Sequence, residues 1–499
     1  MTTQKSAERA PEVRTAAGIV RGCWRAGSAA FLGIPFAEPP VGELHFAAPV
    51  PHRPWGGVRA ATEYGPTPQR QALSEITLIP EPSIPGESTL LVNVFTPSPE
   101  PVAVGGLPVL VYVHGGGFVA GSPASPWYDG KAFNRDGIVT VSVSYRLGFQ
   151  GFGWIADAPH NRGVLDWLLA LEWVQHNIRA FGGDPTRVTI AGQSAGGTAV
   201  TTLLTMPRAQ HLFSQVYCIS GAPRDVSLDR AERLGRRLAD LAGVEPTRAG
   251  LSTLTELQVL ELQTALAAPI GSSDDPLAGL LGTVTEGLTL CPVTDGDLLA
   301  LDTIEALSAG VGADKPLVLG ATDHEFNMAL ADSREMLARR PVVEILGLTG
   351  ADAGVQAAYL ADHPGVDTAG LVGQYITDAV FRAGVVRVAA ARGAARTWVY
   401  RFSWRSPVTG EAMHCIDVPF FFDCLDADRV PAITGPNAPQ QLADDVHGAA
   451  VTFIRTGDPL WPQWSPAEQV ARVFDLPSTD LADGYRDVQS LLPRETHRR

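Results

Sequence analysis

Two stretches of β-branched and aliphatic residues, Val109 to Val113 and Ile138 to Val143, stand out against a chain otherwise broken by glycine and proline. Both are rich in β-branched residues, which suits strands buried on both faces of a mainly parallel sheet. Leu90 to Phe95, Val188 to Ile190, Lys315 to Gly320 and Trp398 to Phe402 read as further strands. Between them, Gly163 to Phe181 is long and mostly apolar and closes on Gly182-Gly183, the pattern of a buried helix with a glycine stop. Val13 to Thr62 is rich in Gly and Pro with short apolar pieces, as expected of hairpins and edge strands. Pro223 to Ala268 and Ala329 to Gly373 have leucine spacing and charged faces that predict helical layers, the second a cap or lid, and Leu442 to Arg455 a closing helix. Strands alternating with helices imply βαβ units: an α/β fold with helices on both faces of its central sheet. No repeat or linker divides the chain. It is expected to form one unit over residues 10–495, with helical insertions around 223–290 and 329–373 and tails at 1–9 and 496–499.

Composition narrows the function. A net charge of −15 with no basic run disfavours nucleic acid as a partner. The start is polar, without the apolar core of a secretory signal, and no run reaches the ~18 apolar residues of a membrane helix. The five cysteines are scattered and form no C-x-x-C pair, so neither zinc nor a disulfide framework is expected. Three lysines beside 35 arginines suggest a GC-rich bacterial genome. The expectation is a cytoplasmic protein, monomer or homodimer, with no membrane anchor.

The chemistry is announced at residues 191–197, Ala-Gly-Gln-Ser-Ala-Gly-Gly, directly after the strand at Val188 to Ile190 and before a helix-compatible stretch from Thr198 to Met206. A G-x-S-x-G turn between strand and helix forces the serine outward, and small neighbours let strand and helix approach closely. Ser194 is then a candidate nucleophile, but a serine hydroxyl needs a base and an oxyanion site. His114-Gly115-Gly116-Gly117 follows the strand ending at Val113. Three glycines there cost backbone entropy, and what they offer is N–H groups turned toward a reacting carbonyl. Gly116, Gly117 and Ala195 are the candidate donors. Glu325 follows the strand ending at Gly320, and Asp323 is its rival two residues away. His414 lies on the loop after the strand near Tyr400, where a histidine is more often plain surface. The order serine, acid, histidine is nonetheless that of the α/β-hydrolases.

These motifs, with Phe31 to Gly42, Leu91 to Pro97, Tyr145 to Gly148, Asn177 to Pro185, Pro292 to Gly296 and Thr456 to Pro459, make the chain resemble the type B carboxylesterase/lipase family nearly end to end. The resemblance implies an α/β-hydrolase fold and a serine carboxylesterase acting on a small-molecule ester, with no cofactor or metal. It implies Ser194 as nucleophile, Glu325 as acid, His414 as base, the three N–H groups as oxyanion hole, and Ser220 as a supporting hydrogen-bond residue. Two rival readings remain. One is a non-catalytic binding or adhesion member of the fold; the other is a hydrolase of carbamates, amides, lactones or thioesters. The chain departs from the family at Gln193 (usually Glu), at Phe326 (usually Gly) and at Asp417 (usually Glu).

Overall fold

The computed structural model describes residues 9–25, 27–68, 79–223, 225–267, 284, 287–327 and 334–493. The termini beyond these, the stretch 69–78, and residues 268–283, 285–286 and 328–333 of and beside the expected helical insertions lie outside them. An 11-stranded sheet carries the chain. Its strands in sequence are β1 (Cys23–Arg25), β2 (Ser28–Pro35), β3 (Leu91–Thr96), β4 (Leu107–Val113), β5 (Val139–Val143) and β6 (Gly183–Gln193). They continue with β7 (Gln215–Ile219), β8 (Leu317–Thr322), β9 (Thr397–Phe402), β10 (Ala471–Phe474) and β11 (Thr479–Leu481). The order across the sheet is β11-β10-β9-β8-β7-β6-β4-β5-β3-β2-β1. Every pair from β10 across to β5 is parallel. Only the margins are antiparallel.

The pleat explains why the central strands read as unbroken apolar runs. Val109, Val111 and Val113 of β4 face a core shared with Val164, Trp167 and Leu171 of helix α1 (Arg162–Asn177) and Ala199 and Leu203 of helix α2 (Ala195–Leu204). Leu110 and Tyr112, the residues between, face a second core. There they meet Phe421 and residues Leu442, Val446 and Phe453 of helix α7, Gln440–Thr456. Both faces of the strand are thus covered, so neither can be polar. Helix α1 gives way to a 3₁₀ turn at Ile178–Phe181 and stops at Gly182 (φ 82°), where a side chain would meet Ser98 O at 2.5 Å.

The predicted helical regions contain α3 (Leu228–Ala242) and α4 (Glu256–Ala267), then α5 (Ala353–Asp362) and α6 (Thr368–Thr377). Leu346 is fully buried in a core with Tyr359, Leu371 and Tyr375. No helix among the described residues is long and apolar enough to cross a membrane.

A buried ion pair fastens the loop after β5 to α1. Arg146 Nη2 and Nε donate to the two Asp166 oxygens at 2.7 and 2.9 Å, and its Nη1 donates to Ala47 O. Both side chains are almost wholly buried, at 2% and 0% exposure. Removing the acid leaves a guanidinium uncompensated in the interior, which typically costs about 3–5 kcal/mol. Asp166→Ala is therefore expected to lower the urea midpoint by that equivalent, read by tryptophan fluorescence. A midpoint unchanged from wild type would contradict this role.

Candidate active site

Sheet ligands gather at the carboxyl ends of parallel strands, and the candidate residues all emerge from that edge. Ser194 sits between β6 and α2 with φ 58° and ψ −123°, a conformation strained for any side-chain-bearing residue. The turn is held by Ser194 N–H donating to Ile219 O (2.9 Å) at the end of the neighbouring β7. Its tightness excludes side chains at both flanking glycines: a Cβ on Gly192 would lie 2.3 Å from Gly196 O, and one on Gly196 would lie 2.0 Å from Val113 O. The elbow is therefore a steric consequence of Gly-x-Ser-x-Gly at this junction.

The glycine loop after β4 is equally constrained. Gly116 (φ 112°) and Gly117 (φ 60°) take backbone conformations that side chains disfavour, and a Cβ on Gly116 would strike Ala120 O at 2.1 Å. A Cβ on Gly115 would crowd Gln193 O at 2.7 Å and Ser194 Cβ at 3.1 Å, so the loop lies against the elbow. Among the described residues, the N–H groups of Gly116, Gly117 and Ala195 donate to no protein acceptor. His114 anchors the loop. It is buried, stacked on Tyr145 with ring centroids 4.6 Å apart, and burial pulls its pKa down to about 4, so it remains neutral.

Of the two candidate acids, Glu325 meets the histidine. Its Oε2 accepts from His414 Nδ1 and its Oε1 accepts from Thr322 N–H at 2.8 Å. Asp323 turns the other way, held by Arg401 Nε (2.5 Å) and Nη2 (3.2 Å). Burial works against its charge, but Arg401 and Arg382 outweigh that and keep its carboxyl below the usual range. The acid and histidine loops are also joined by their backbones. His324 N–H donates to Ala412 O (3.0 Å), His414 N–H donates to Glu325 O (3.3 Å), and Ala412 N–H donates to His324 Nδ1 (3.1 Å). His324 can accept that bond because burial holds its imidazole neutral, with a pKa lowered to about 4. Sequence reading passed over this clamp. A signal was present in the spacing, since His324 stands directly beside Glu325.

His414 is buried, at 2% exposure, where the loop location suggested surface. Burial penalises its charged form, but the Glu325 carboxylate at Nδ1 outweighs that and raises its pKa above the ordinary histidine value. With Nδ1 donating to Glu325, Nε2 is an acceptor, and the amide of Gln193 occupies it at 3.2 Å. Among the described residues, Ser194 Oγ makes no hydrogen bond to the imidazole. Glu325 and His414 are thus in contact, and Ser194 lies one residue from the amide that meets His414 Nε2.

Ser220, at the end of β7, is wholly buried with φ 47°, and its hydroxyl has no hydrogen-bond partner among the described residues. The supporting hydrogen bond expected of it is therefore not made. Asp417 lies near the histidine, with Oδ2 accepting from Tyr400 OH (3.2 Å) and Oδ1 without a hydrogen-bond partner among the described residues. Burial, reinforced by Glu325, raises its pKa to about 7. All five cysteines are free thiols, and burial raises that of Cys415.

A serine elbow, a glycine loop and a linked acid–histidine pair at the carboxyl edge of a largely parallel, helix-flanked sheet define an α/β-hydrolase. A profile of the carboxylesterase family matches residues 9–480. The para-nitrobenzyl esterase of Bacillus subtilis is 31% identical over 93% of this chain and 94% of its own length. The phenmedipham hydrolase of Pseudarthrobacter oxydans is 31% identical over 98% of each. A crystal structure of a Geobacillus stearothermophilus carboxylesterase superposes with a TM-score of 0.83 and 31% identity, covering 97% of this chain and all of that one. The chain belongs to the carboxylesterase family, and it is a serine esterase that hydrolyses carboxylic esters.

Proposed function

We propose that hydrolysis runs through an acyl-enzyme on Ser194, with His414 as general base and acid and Glu325 holding its tautomer. The observation that carries this is the Thr322–Glu325–His414 chain of hydrogen bonds ending beside a strained serine elbow. Glu325 fixes the Nδ1 proton, leaving Nε2 as the basic atom. The Gln193 amide gives up Nε2 when Ser194 Oγ–H takes its place, and the serine oxygen then attacks the ester carbonyl. Oxygen charge that develops in the tetrahedral intermediate falls to the N–H groups of Gly116, Gly117 and Ala195. His414 next protonates the leaving alkoxide, and water repeats the sequence on the acyl-enzyme. Every step uses this chain's own side chains and backbone.

The substrate proposed is a small-molecule ester, with para-nitrobenzyl and para-nitrophenyl esters as the first test compounds. A monomer or homodimer in a bacterial cytoplasm is the proposed setting, supported by the five free thiols. The family match over 9–480 supports treating residues 10–495 as one unit. Labelling with a fluorophosphonate probe, followed by peptide mass analysis, tests the nucleophile: the adduct is expected on Ser194, and labelling elsewhere or nowhere overturns the assignment.

The oxyanion assignment gives a separate expectation. A methyl group on Gly116 must displace the backbone at Ala120, so Gly116→Ala moves the donor array without touching serine or histidine. Loss of one such donor costs about 10²–10³ in kcat. A kcat within a few-fold of wild type on para-nitrophenyl acetate would remove Gly116 from the oxyanion site.

A further inference from the structure

Phe326 stands where the family pattern has glycine, and its ring belongs to a three-ring cluster built on the proposed base. Phe326 and Phe381 stack with centroids 5.4 Å apart and planes 14° apart. Each also packs against the His414 imidazole, at 5.3 and 5.2 Å, tilted by 46° and 48°. Phe381 is 7% exposed, whereas Phe326 keeps part of its surface open.

Both rings are held in place. Phe326 N–H donates to Thr377 Oγ1 (3.0 Å) at the end of α6, and Thr377 Oγ1 donates to Asn327 Oδ1 (2.9 Å). Gln374 of the same helix donates to Asp323 O (3.0 Å). Phe381 lies in the π-helical turn Asp378–Arg382 that follows α6, an irregularity often found at functional sites. That turn is anchored by Arg382, buried between Asp378 and Asp487.

Neither ring carries a polar atom, so neither takes part in the proton relay. Their position relative to the relay is what matters. His414 delivers its proton to the leaving oxygen, so the alcohol's carbon skeleton departs within about one ring-width of the imidazole, and these rings flank it. We propose that Phe326, backed by Phe381, forms an aromatic wall on the leaving-alcohol side and makes this enzyme favour esters of aromatic alcohols. The inference rests on the reading of His414 as the residue that protonates the alkoxide. Offset or edge-on contact between aromatic rings adds about 3- to 10-fold beyond what equal apolar area supplies.

The test compares kcat/KM for benzyl acetate and cyclohexylmethyl acetate, whose leaving groups match in size and nearly in acidity, on the full-length enzyme. Wild type is expected to prefer the benzyl ester, and Phe326→Leu to reduce that preference about 3- to 10-fold. A ratio within one variant cancels any loss of folded protein, and Phe381→Leu provides a second variant expected to move it the same way. An unchanged ratio in both variants overturns the wall. So does a shift confined to an acyl-side pair, methyl phenylacetate against methyl cyclohexylacetate. If wild type turns over ethyl acetate while showing no benzyl preference, the wall alone fails. If wild type hydrolyses none of these esters, the catalytic reading fails with it.

Discussion

Ser194→Ala is expected to lower kcat on para-nitrophenyl acetate by on the order of 10⁶-fold while leaving the protein as stable as wild type. The two halves of that expectation come from different features. Without Oγ no acyl-enzyme forms, and what survives is the rate supplied by the oxyanion donors and by binding, roughly 10³–10⁴ over water. Stability is preserved because Ser194 Oγ makes no hydrogen bond among the described residues. The strain at φ 58° belongs to the backbone and is the same for alanine. Steady-state kinetics together with a thermal melt check both. Hydrolysis retained within 100-fold would mean another nucleophile carries the reaction, and a large drop in melting temperature would mean the hydroxyl was structural.

The elbow was legible from sequence because the geometry demanding it is local. A strand, five residues and a helix start suffice, and the glycines on either side have no room for a methyl group. The parallel strands were legible for a related reason, since burial on both faces fills β4 and β5 with β-branched and other apolar side chains, Thr140 and Ser142 being the buried polar exceptions. β7 and β10 were not picked out, although β7 lies between the nucleophile and acid strands. Its five residues, Gln-Val-Tyr-Cys-Ile, are too few to show a period, and it is parallel partners distant in sequence that make it a strand. Helix α2 begins at Ala195 rather than Thr198, because its first turn is glycine-rich and packs against β4 and β7.

What the sequence left open at the site was all long-range. Choosing Glu325 over Asp323 depends on Arg401, a residue of the next strand that claims the aspartate. The burial of His414 depends on the clamp between His324 and Ala412, and on Phe326 and Phe381 arriving from two different elements. Gln193 was visible only as a missing charge. Its structural meaning, an amide lying against Nε2 of the histidine, requires residues 221 positions apart to meet.

Glu325→Gln is expected to reduce kcat by about 10⁴-fold, whereas Asp323→Asn should leave kcat nearly unchanged and lower stability instead. The glutamine keeps the size of the acid and its hydrogen bond from Thr322. It presents no carboxylate to His414 Nδ1, so it neither fixes the tautomer nor stabilises the imidazolium. Asp323→Asn removes the charge facing Arg401, which is 22% exposed, so the cost should fall below the fully buried range, on the order of 2 kcal/mol. The pH profile separates the two further. His414 must be neutral to act as a base, so kcat/KM rises as pH rises through its pKa, and its raised value places that acid limb above 6.5. Glu325 is one of the groups raising it, so in Glu325→Gln the residual activity should begin at lower pH. In Asp323→Asn the limb should stay where wild type has it, because Asp323 is absent from the interactions that set the imidazole's pKa. Should the two variants exchange behaviours, with Asp323→Asn losing catalysis and moving the limb, the acid of this site is Asp323 and the contact seen at Glu325 is structural.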